Sequence, residues 1–298
     1  MRKLRAFFHN RSRSSKRRLY SMIFLFPSLI GVGLFFVIPF FVVGFYSVVD
    51  SPFNPGFVGL GNFISLLGNS AFLSASRNTL IFSVTAVPLA VLLSLGMAVL
   101  LEQNIPMRSA FRTFILTPLM VPIASIVLVW QVFFHVNGSL NKFLMGMGYD
   151  RVDWFKSAGS YVMILILFLW KNLGYNMILF MAALNDIPKE LLEVADLDGA
   201  GSMQKFLLIK LRYLSPTILF VALMSLVNSF KVFREIYLLS GDYPYDTLYM
   251  LQHFMNNTFK NLEYQKLSTA AMFMFAVFVV TIGLLFFAED RVGKDLEG

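Results

Sequence analysis

Long apolar runs dominate the chain and are separated by shorter polar segments. Six of these runs contain about the 20 mostly apolar residues that a helix needs to cross roughly 30 Å of hydrocarbon. They lie at about 21–48, 79–101, 113–135, 159–184, 213–239 and 268–288. Because unpaired backbone groups are not tolerated in lipid, the runs predict helices rather than open strands. The predicted fold class is therefore an all-α, polytopic membrane protein with six transmembrane helices.

Proline residues interrupt several of these runs. They are Pro27, Pro39, Pro88, Pro118 and Pro122. A proline inside a helix removes a backbone hydrogen bond and bends the axis, and neighbouring helices can cover the carbonyl groups that it frees. The pattern therefore predicts bent helices around a cavity.

The basic residues are distributed unequally between the two ends of the runs. Of the 25 Lys and Arg residues, sixteen lie on the side of the N-terminus, six lie on the opposite side, and three lie within the runs. Since cytoplasmic loops carry the excess of Lys and Arg, both termini are predicted to be cytoplasmic. The connections at 49–78, 136–158 and 240–267 then face outward and are long enough for short interfacial helices and a docking face.

The composition agrees with a membrane location, because 57% of the 298 residues are hydrophobic and only 14% are charged, against about 25% in soluble domains. The absence of cysteine excludes disulfides, thiolate metal sites and a cysteine nucleophile. Eight basic residues within the first 18 positions contribute much of the net charge of +8. They favour a cytoplasmic anchor over a nucleic-acid-binding arm, so membrane lipid is an expected partner and nucleic acid is not.

The predicted organisation is a single transmembrane domain at 21–290, between a basic cytoplasmic segment at 1–20 and a cytoplasmic tail at 291–298. Within this domain, the inner connection at 186–212 is unusual because it carries five acids against four bases. Its pattern predicts a helix from Pro188, a stop at the glycines that follow, and a second helix from Ser202. Such a helix pair fits a groove of another cytoplasmic protein, while the pattern alone leaves an ordinary surface hairpin open.

Residues 193–200 of this connection read EVADLDGA, and residues 209–212 read IKLR. They resemble the signature loop of permease subunits of bacterial ATP-binding-cassette importers, which reads E-A-A, three residues, G-A and then I-x-L-P. Val194 replaces the first Ala and Arg212 replaces the usual Pro, whereas the Glu, the Gly and the spacing are kept. The resemblance implies a coupling loop that docks a separate ATPase. The coupling residues that it implies are Glu193, Ala195, Asp198, Gly199, Ala200 and Leu211.

Three further segments extend the resemblance over most of the chain. They are FVGLGNF at 57–63, NGSLNKFLMGMG at 137–148 and SFKVFREIYLLSGDYPYDT at 229–247. These segments are similar to the carbohydrate (oligosaccharide) uptake members of the permeases, which are binding-protein-dependent transport system inner membrane components. One departure is DYP at 242–244, where those members usually have Gly-Gly-Pro. The implied location is the bacterial cytoplasmic membrane.

Importers of this family are described as two permease subunits, two copies of a cytoplasmic ATP-binding subunit and an extracytoplasmic solute-binding protein. The resemblance therefore implies a second homologous permease, and by analogy a heterodimer. This chain has no G-x-x-x-x-G-K-[ST] motif, because Ala288 stands five residues before Gly293 and Asp295 follows the Lys. ATP and Mg are thus expected on the partner ATPase. No cofactor, metal or catalytic residue is expected in this chain, which is predicted not to be an enzyme.

Polar residues inside the apolar runs are candidates for a solute path, because a charged one costs about 3 kcal/mol at the bilayer centre. Hydroxyl-rich solutes need donors, acceptors and an aromatic face. The candidates are Asn228, Phe230, Lys231, Arg234 and Glu235 in the fifth run and Asn172 and Asn176 in the fourth. The alternative is a structural clamp, such as an ion pair between Lys231 and Glu235.

Other functions remain open at this stage. Glycerol phosphate or a polyol is the alternative solute of the same importer class, since Lys171, Lys231 and Arg234 could accept an anion. A secondary active transporter is disfavoured by the presence of only six runs with a single acid, Glu235, well inside them. An intramembrane enzyme is disfavoured because the sequence lacks H-E-x-x-H and G-x-S-x-G and its three His lie in separate segments.

Overall fold

The structure, a computed structural model, describes residues 20–22, 24–103 and 106–293. The predicted basic segment lies outside the described residues except for Tyr20, and so do residues 294–298 of the predicted tail. The described part contains six helical segments that are long and apolar enough to cross a membrane. They are Tyr20–Ser47, Ser70–Glu102, Ile123–Gly146, Gly159–Asn185, Ser215–Ser240 and Tyr264–Asp290. The prediction of an all-α fold with six spans is therefore confirmed.

The helices are numbered here in chain order. They are α1 (Tyr20–Ser47), α2 (Gly61–Leu67), α3 (Ser70–Glu102), α4 (Arg108–Met120), α5 (Ile123–Phe134), α6 (Ser139–Gly146), α7 (Gly159–Asn185), α8 (Lys189–Leu197), α9 (202–213), α10 (Ser215–Lys231), α11 (Phe233–Ser240), α12 (Leu251–Lys260) and α13 (Tyr264–Gly293). A π-helical turn at Phe206–Lys210 lies within α9, and another at Gly33–Val37 lies within α1.

The chain forms two units, of which the first comprises Met1–Leu66 and Glu263–Met274. In this unit the side chain of Asn62 fixes the end of α1. Its Nδ2 donates to the carbonyl oxygens of Ser47, at 3.1 Å, and Val49, at 2.8 Å. The apolar side chains of α1 are largely exposed, as expected for a helix that faces lipid.

The second unit, Leu67–Leu262 and Phe275–Gly298, contains the core of the protein. Its central pair is α3 and α7, where Phe82 packs edge-on against Phe168 with ring centroids 5.5 Å apart. Towards the other end of the same helices, Phe180 is fully buried in a second apolar cluster that includes Leu214. A polar pair joins α3 to α10: the hydroxyl oxygens of Ser83 and Ser229 are 2.8 Å apart. Small and hydroxyl-bearing residues of this kind let membrane helices approach closely.

The third apolar run, predicted as one helix over 113–135, is two helices. Val121 is extended and Pro122 caps α5, so the helix is interrupted between Met120 and Ile123. A proline disfavours the helical conformation of the residue before it and has no N–H to continue the ladder. Pro88, in contrast, remains inside a continuous α3. The fifth run is also interrupted, at Val232 between α10 and α11.

Candidate solute path and coupling surface

A polar cavity of about 240 Å³ lies in the second unit, between α7 and the junction of α10 with α11. Leu119 of α4 and Ile123 of α5 contribute to its wall, so the break in the third run shapes the cavity. The polar lining residues are Lys171, Asn172, Asn228, Lys231, Arg234 and Glu235. Concave sites that combine apolar walls with a few convergent polar groups are the usual form of a small-molecule site.

Five of the seven path residues predicted from the sequence line this cavity. The helical period brings them together, because positions three, four or seven residues apart share one face of a helix. Phe230 instead packs against Phe278, with ring centroids 4.4 Å apart. Asn176 is buried and donates through Nδ2 to Ser225 Oγ at 3.0 Å, which joins α7 to α10. These two residues do not line this cavity, and their part in a solute path stays a prediction.

Glu235 is the carboxylate of the cavity, and it is paired with Lys171. Lys171 Nζ of α7 donates to Glu235 Oε1, and Glu235 is only 6% exposed. The ion pair expected within one helix, between Lys231 and Glu235, is not the one that forms. Lys171 of the neighbouring helix α7 occupies Glu235 Oε1 instead. The second carboxylate oxygen of Glu235 is buried without a hydrogen-bond partner among the described residues.

Two amides form the polar floor between α7 and α10. Asn228 Nδ2 donates to Asn172 Oδ1 at 2.8 Å, and Asn172 Nδ2 donates to the carbonyl oxygen of Phe168 at 2.7 Å. The pair fixes the orientation of both side chains at the cavity. It also leaves lone pairs and N–H groups that can bind hydroxyl groups.

Lys231 and Arg234 differ from the other polar lining residues because both are exposed at the cavity. Within the part of the chain that the structure describes, neither side chain has a hydrogen bond or an ion pair. The lining therefore holds three cations and one carboxylate, and that carboxylate is already paired with Lys171. The cavity consequently carries a local excess of positive charge.

The apolar walls of the cavity were not predicted from the sequence. Leu119, Ile123, Phe168 and Val232 face it, yet each is an ordinary apolar residue of a membrane helix in sequence. The only available signal was the proline next to the break, which indicated an irregular segment. Their role depends on long-range packing, which the helical pattern does not determine.

The predicted coupling segment forms α8, a tight turn and α9. Gly199 has φ +76°, and the turn is a Schellman motif: Ala200 N donates to Ala195 O at 2.8 Å and Gly199 N donates to Asp196 O at 3.1 Å. Only glycine adopts this left-handed conformation at low cost. The predicted helix, stop and second helix are therefore present at the positions expected.

The coupling segment has an anchored face and an exposed face. Leu192, Phe206 and Leu211 pack against the core cluster around Phe180 and Leu214, so Leu211 anchors the segment. On the opposite side, Leu197 is 87% exposed and Met203 is 68% exposed. These two side chains leave apolar surface of the segment open to solvent.

Among the predicted coupling residues, Glu193 and Asp198 are exposed acids whose carboxylates have no partner in the described residues. Ala195 and Ala200 are half-buried at the turn. Two ion pairs hold the segment in place: Lys205 Nζ with Asp196 Oδ1 at 2.5 Å and Lys210 Nζ with both oxygens of Glu102 at 2.7 Å. The second pair connects α9 directly to the end of α3.

Residues 86–291, which include both the cavity and the coupling segment, match the family described as binding-protein-dependent transport system inner membrane component. The chain belongs to this family. It is therefore a multi-pass protein of the inner membrane and a permease component of a transport system.

The permease is also similar to individual proteins. It is 32% identical over 214 residues to the arabinooligosaccharides transport system permease protein AraP of Halalkalibacterium halodurans, covering 67% of each chain. It is 30% identical over 273 residues to the sn-glycerol-3-phosphate transport system permease protein UgpA of Escherichia coli, covering 89% of this chain and 92% of that one. The crystal structure of a bacterial ABC transporter involved in the import of the acidic polysaccharide alginate superposes with a TM-score of 0.82 at 23% identity, covering 94% and 98% of the two chains. This last match shows a shared fold.

The connection after α11 contains the sequence DYP at 242–244 in place of Gly-Gly-Pro, and its acid, Asp242, forms hydrogen bonds to α12. Asp242 Oδ1 accepts from Lys260 Nζ at 2.5 Å and from Asn256 Nδ2 at 3.2 Å. The hydrogen bond to Asp242 is the main cause of a raised pKa of Lys260. The departure thus replaces a flexible glycine by an acid that ties the connection to α12.

Proposed function

We propose that the chain is the permease subunit of an ATP-driven, binding-protein-dependent importer for sugars, with an oligosaccharide as the favoured solute. The observation that carries the proposal is the polar cavity between α7 and the α10–α11 junction, in a chain of this transport family. Paired amides beside the ring of Phe168 offer hydrogen bonds and an apolar face to a sugar. The similarity to AraP supports an oligosaccharide.

We propose further that a separate ATPase, present in two copies, binds the exposed face of α8 and α9 and holds the ATP and Mg. The chain is then a transport subunit and not an enzyme. A second homologous permease supplies the other coupling segment and an extracytoplasmic solute-binding protein delivers the sugar. The orientation that this requires, with both termini in the cytoplasm, is supported by the sixteen Lys and Arg residues on that side against six on the other. The predicted division into the transmembrane domain at 21–290 and two cytoplasmic ends is part of the same proposal.

The connectivity explains how ATPase motion would reach the cavity. α8 follows α7 after Asp186–Pro188, and α9 leads into α10 through Leu214. Because Phe206 and Leu211 pack on the core, the segment cannot shift without moving the helices beneath it. Both α7 and α10 contribute polar residues to the cavity. A displacement of the segment would therefore change the shape of the solute path. The ATPase and the solute would then each make different contacts in the two states, which is what allosteric coupling needs.

Glycerol phosphate is the second candidate solute. The observation that favours it is the positive charge at the cavity, where Lys231 and Arg234 are unpaired within the described residues. The similarity to UgpA points in the same direction. Both candidates belong to one importer class, so a single assembly and a single coupling mechanism serve either solute.

Replacement of Glu193 by Ala, or of Gly199 by Val, tests the coupling role in proteoliposomes that contain the complete importer. ATP-dependent uptake is expected to be lost, because the first change removes an exposed acid and the second forces a β-branched residue into φ +76°. Gly201→Ala is the matched control, since Gly201 has φ −68° and its new Cβ would lie 3.8 Å from the Gln204 side chain. The solute affinity of the isolated binding protein is expected to stay constant. Uptake at the wild-type rate in both Glu193→Ala and Gly199→Val would contradict the proposal.

A further inference from the structure

From the charges around the cavity we infer that the natural solute carries an anionic group, which Lys231 and Arg234 bind. The solute is then a hydroxylated compound with a carboxylate, sulfonate or phosphate, rather than a neutral sugar. The inference rests on the proposed function, since it assigns the class of solute that uses the same path.

The first step is the charge balance at the lining. Lys171 and Glu235 neutralise each other, because Lys171 Nζ donates to Glu235 Oε1. Lys231 and Arg234 remain, and neither has a counter-ion among the described residues. A single carboxylate cannot compensate three cations, so the cavity attracts an anion.

The second step is the position of the two cations in the sequence. They lie three residues apart across the junction at Val232, within the span Ser215–Ser240. Two like charges this close repel each other, and charged groups inside a span are costly unless they pair or line a path. An anion bound between them would offset both the repulsion between the two cations and the free-energy cost of unpaired charge inside the span. The guanidinium of Arg234 is also suited to a carboxylate or phosphate, because its planar fork can donate two parallel hydrogen bonds.

The third step is that the same cavity offers a site for hydroxyl groups. Asn172 and Asn228 line the cavity, and their amides keep N–H groups and lone pairs beyond their mutual hydrogen bond that can bind solute hydroxyl groups. Glu235 Oε1 is taken by Lys171 and its Oε2 is buried, so the amides are the hydroxyl-binding groups of this wall. The anionic and hydroxyl-binding groups together specify an acidic sugar or a polyol phosphate and disfavour a simple inorganic anion.

The inference is tested by ligand binding to the purified permease–ATPase complex in detergent, measured by the shift of its thermal unfolding midpoint with probe concentration. Matched probe pairs are oligogalacturonate against the neutral oligogalactoside, and glycerol 3-phosphate against glycerol. An acidic probe is expected to bind at least tenfold more tightly than its neutral counterpart. The two pairs distinguish a carboxylated sugar from a phosphate ester.

Variants identify the residues responsible. The double change Lys231→Gln and Arg234→Gln is expected to abolish the preference for the acidic probe, whereas Arg234→Lys retains part of it. Lys142→Gln removes an exposed cation outside the cavity and is the matched control. Without probe, the double variant is expected to unfold at or above the wild-type temperature, because no described contact of either side chain is lost and the repulsion between the two cations is removed.

Equal binding of acidic and neutral probes, or no binding of either acidic probe, would overturn the inference. A double variant that unfolds at a clearly lower temperature without probe would also overturn it, because the cations would then be structural. The proposed function is judged separately, by the loss of ATP-dependent uptake in the Glu193→Ala importer, and is unaffected by these results.

Discussion

The close approach of α7 to α4 makes Gly174, which follows the cavity-lining residues Lys171 and Asn172 on α7, sensitive to substitution. A Cβ placed on Gly174 would meet the carbonyl oxygen of Ile115, and would lie 3.1 Å from Ile115 C and 3.3 Å from Leu116 Cα. All three are backbone atoms, so no change of rotamer relieves the contact. The two helices would have to separate by about 1 Å to restore ordinary van der Waals distances.

The magnitude for Gly174→Ala follows from two opposing effects. Overpacking of a well-packed interface costs about 1–3 kcal/mol, while alanine gains up to about 1 kcal/mol over glycine inside a helix. The expected net result is a loss of about 1–2 kcal/mol in the free energy of unfolding. At about 2–4 °C per kcal/mol, the unfolding midpoint should fall by several degrees. Uptake should fall too, because α7 carries Lys171 and Asn172 and α4 carries Leu119 of the cavity.

The assay is thermal unfolding of the purified protein in detergent, followed by circular dichroism. Gly96→Ala in α3 is the matched control, because outside its own helical turn no atom of the described residues lies within 4 Å of the new Cβ, and only the gain in helix propensity remains. Its midpoint is expected to equal or slightly exceed that of the wild type. If Gly174→Ala were as stable as Gly96→Ala, the close packing of α7 against α4 would be refuted.

Two further predictions concern charged and titratable groups. Glu102→Lys and Lys210→Glu are each expected to lower the number of solute molecules taken up per ATP hydrolysed, because each breaks the ion pair between these residues. The double variant, which exchanges the two charges, should restore this ratio. A double variant without rescue would show that the ion pair is irrelevant to coupling. Burial lowers the pKa of His253 to about 4, against an opposing effect of Asp242. As pH falls from about 6.5 to about 4, the unfolded chain binds a proton that the folded protein excludes, so stability should fall by about 3 kcal/mol in total. His253→Asn should remove this slope in thermal unfolding measured against pH, and an unchanged slope would place its origin elsewhere.

Much of the fold followed from the sequence because lipid imposes a simple rule on apolar runs. Six spans are present as predicted, although the third lies at Ile123–Gly146 rather than 113–135, and the helix, turn and helix of the coupling segment begin and end where Pro188, Gly199 and Ser202 indicated. The breaks were harder to predict. Pro88 and Pro122 both lie in apolar runs, yet only the second of the two interrupts a helix. The ring and the missing N–H are the same at both positions, so proline chemistry alone does not predict which helix breaks.

The sequence identified the polar residues of the cavity more reliably than their partners. Helical spacing grouped Asn228, Lys231 and Glu235 on one stripe, and all three line the cavity. The same spacing suggested Lys231 as the partner of Glu235, whereas Lys171 of another helix forms the pair. Periodicity describes one helix at a time, and pairs between helices depend on their relative rotation, which no local pattern contains.

The hydrogen bonds between α7 and α10 limit how the cavity can open. Asn172 with Asn228 and Asn176 with Ser225 join the two helices at two successive levels. Residue 185, at the end of α7, lies about 20 Å from residue 171 along the helix. A rotation of about 10° at the coupling segment would therefore displace the cavity end by about 3–4 Å if both helices moved together. Because these bonds oppose a separation of α7 from α10, an opening on another side of the cavity breaks fewer hydrogen bonds and is the expected route.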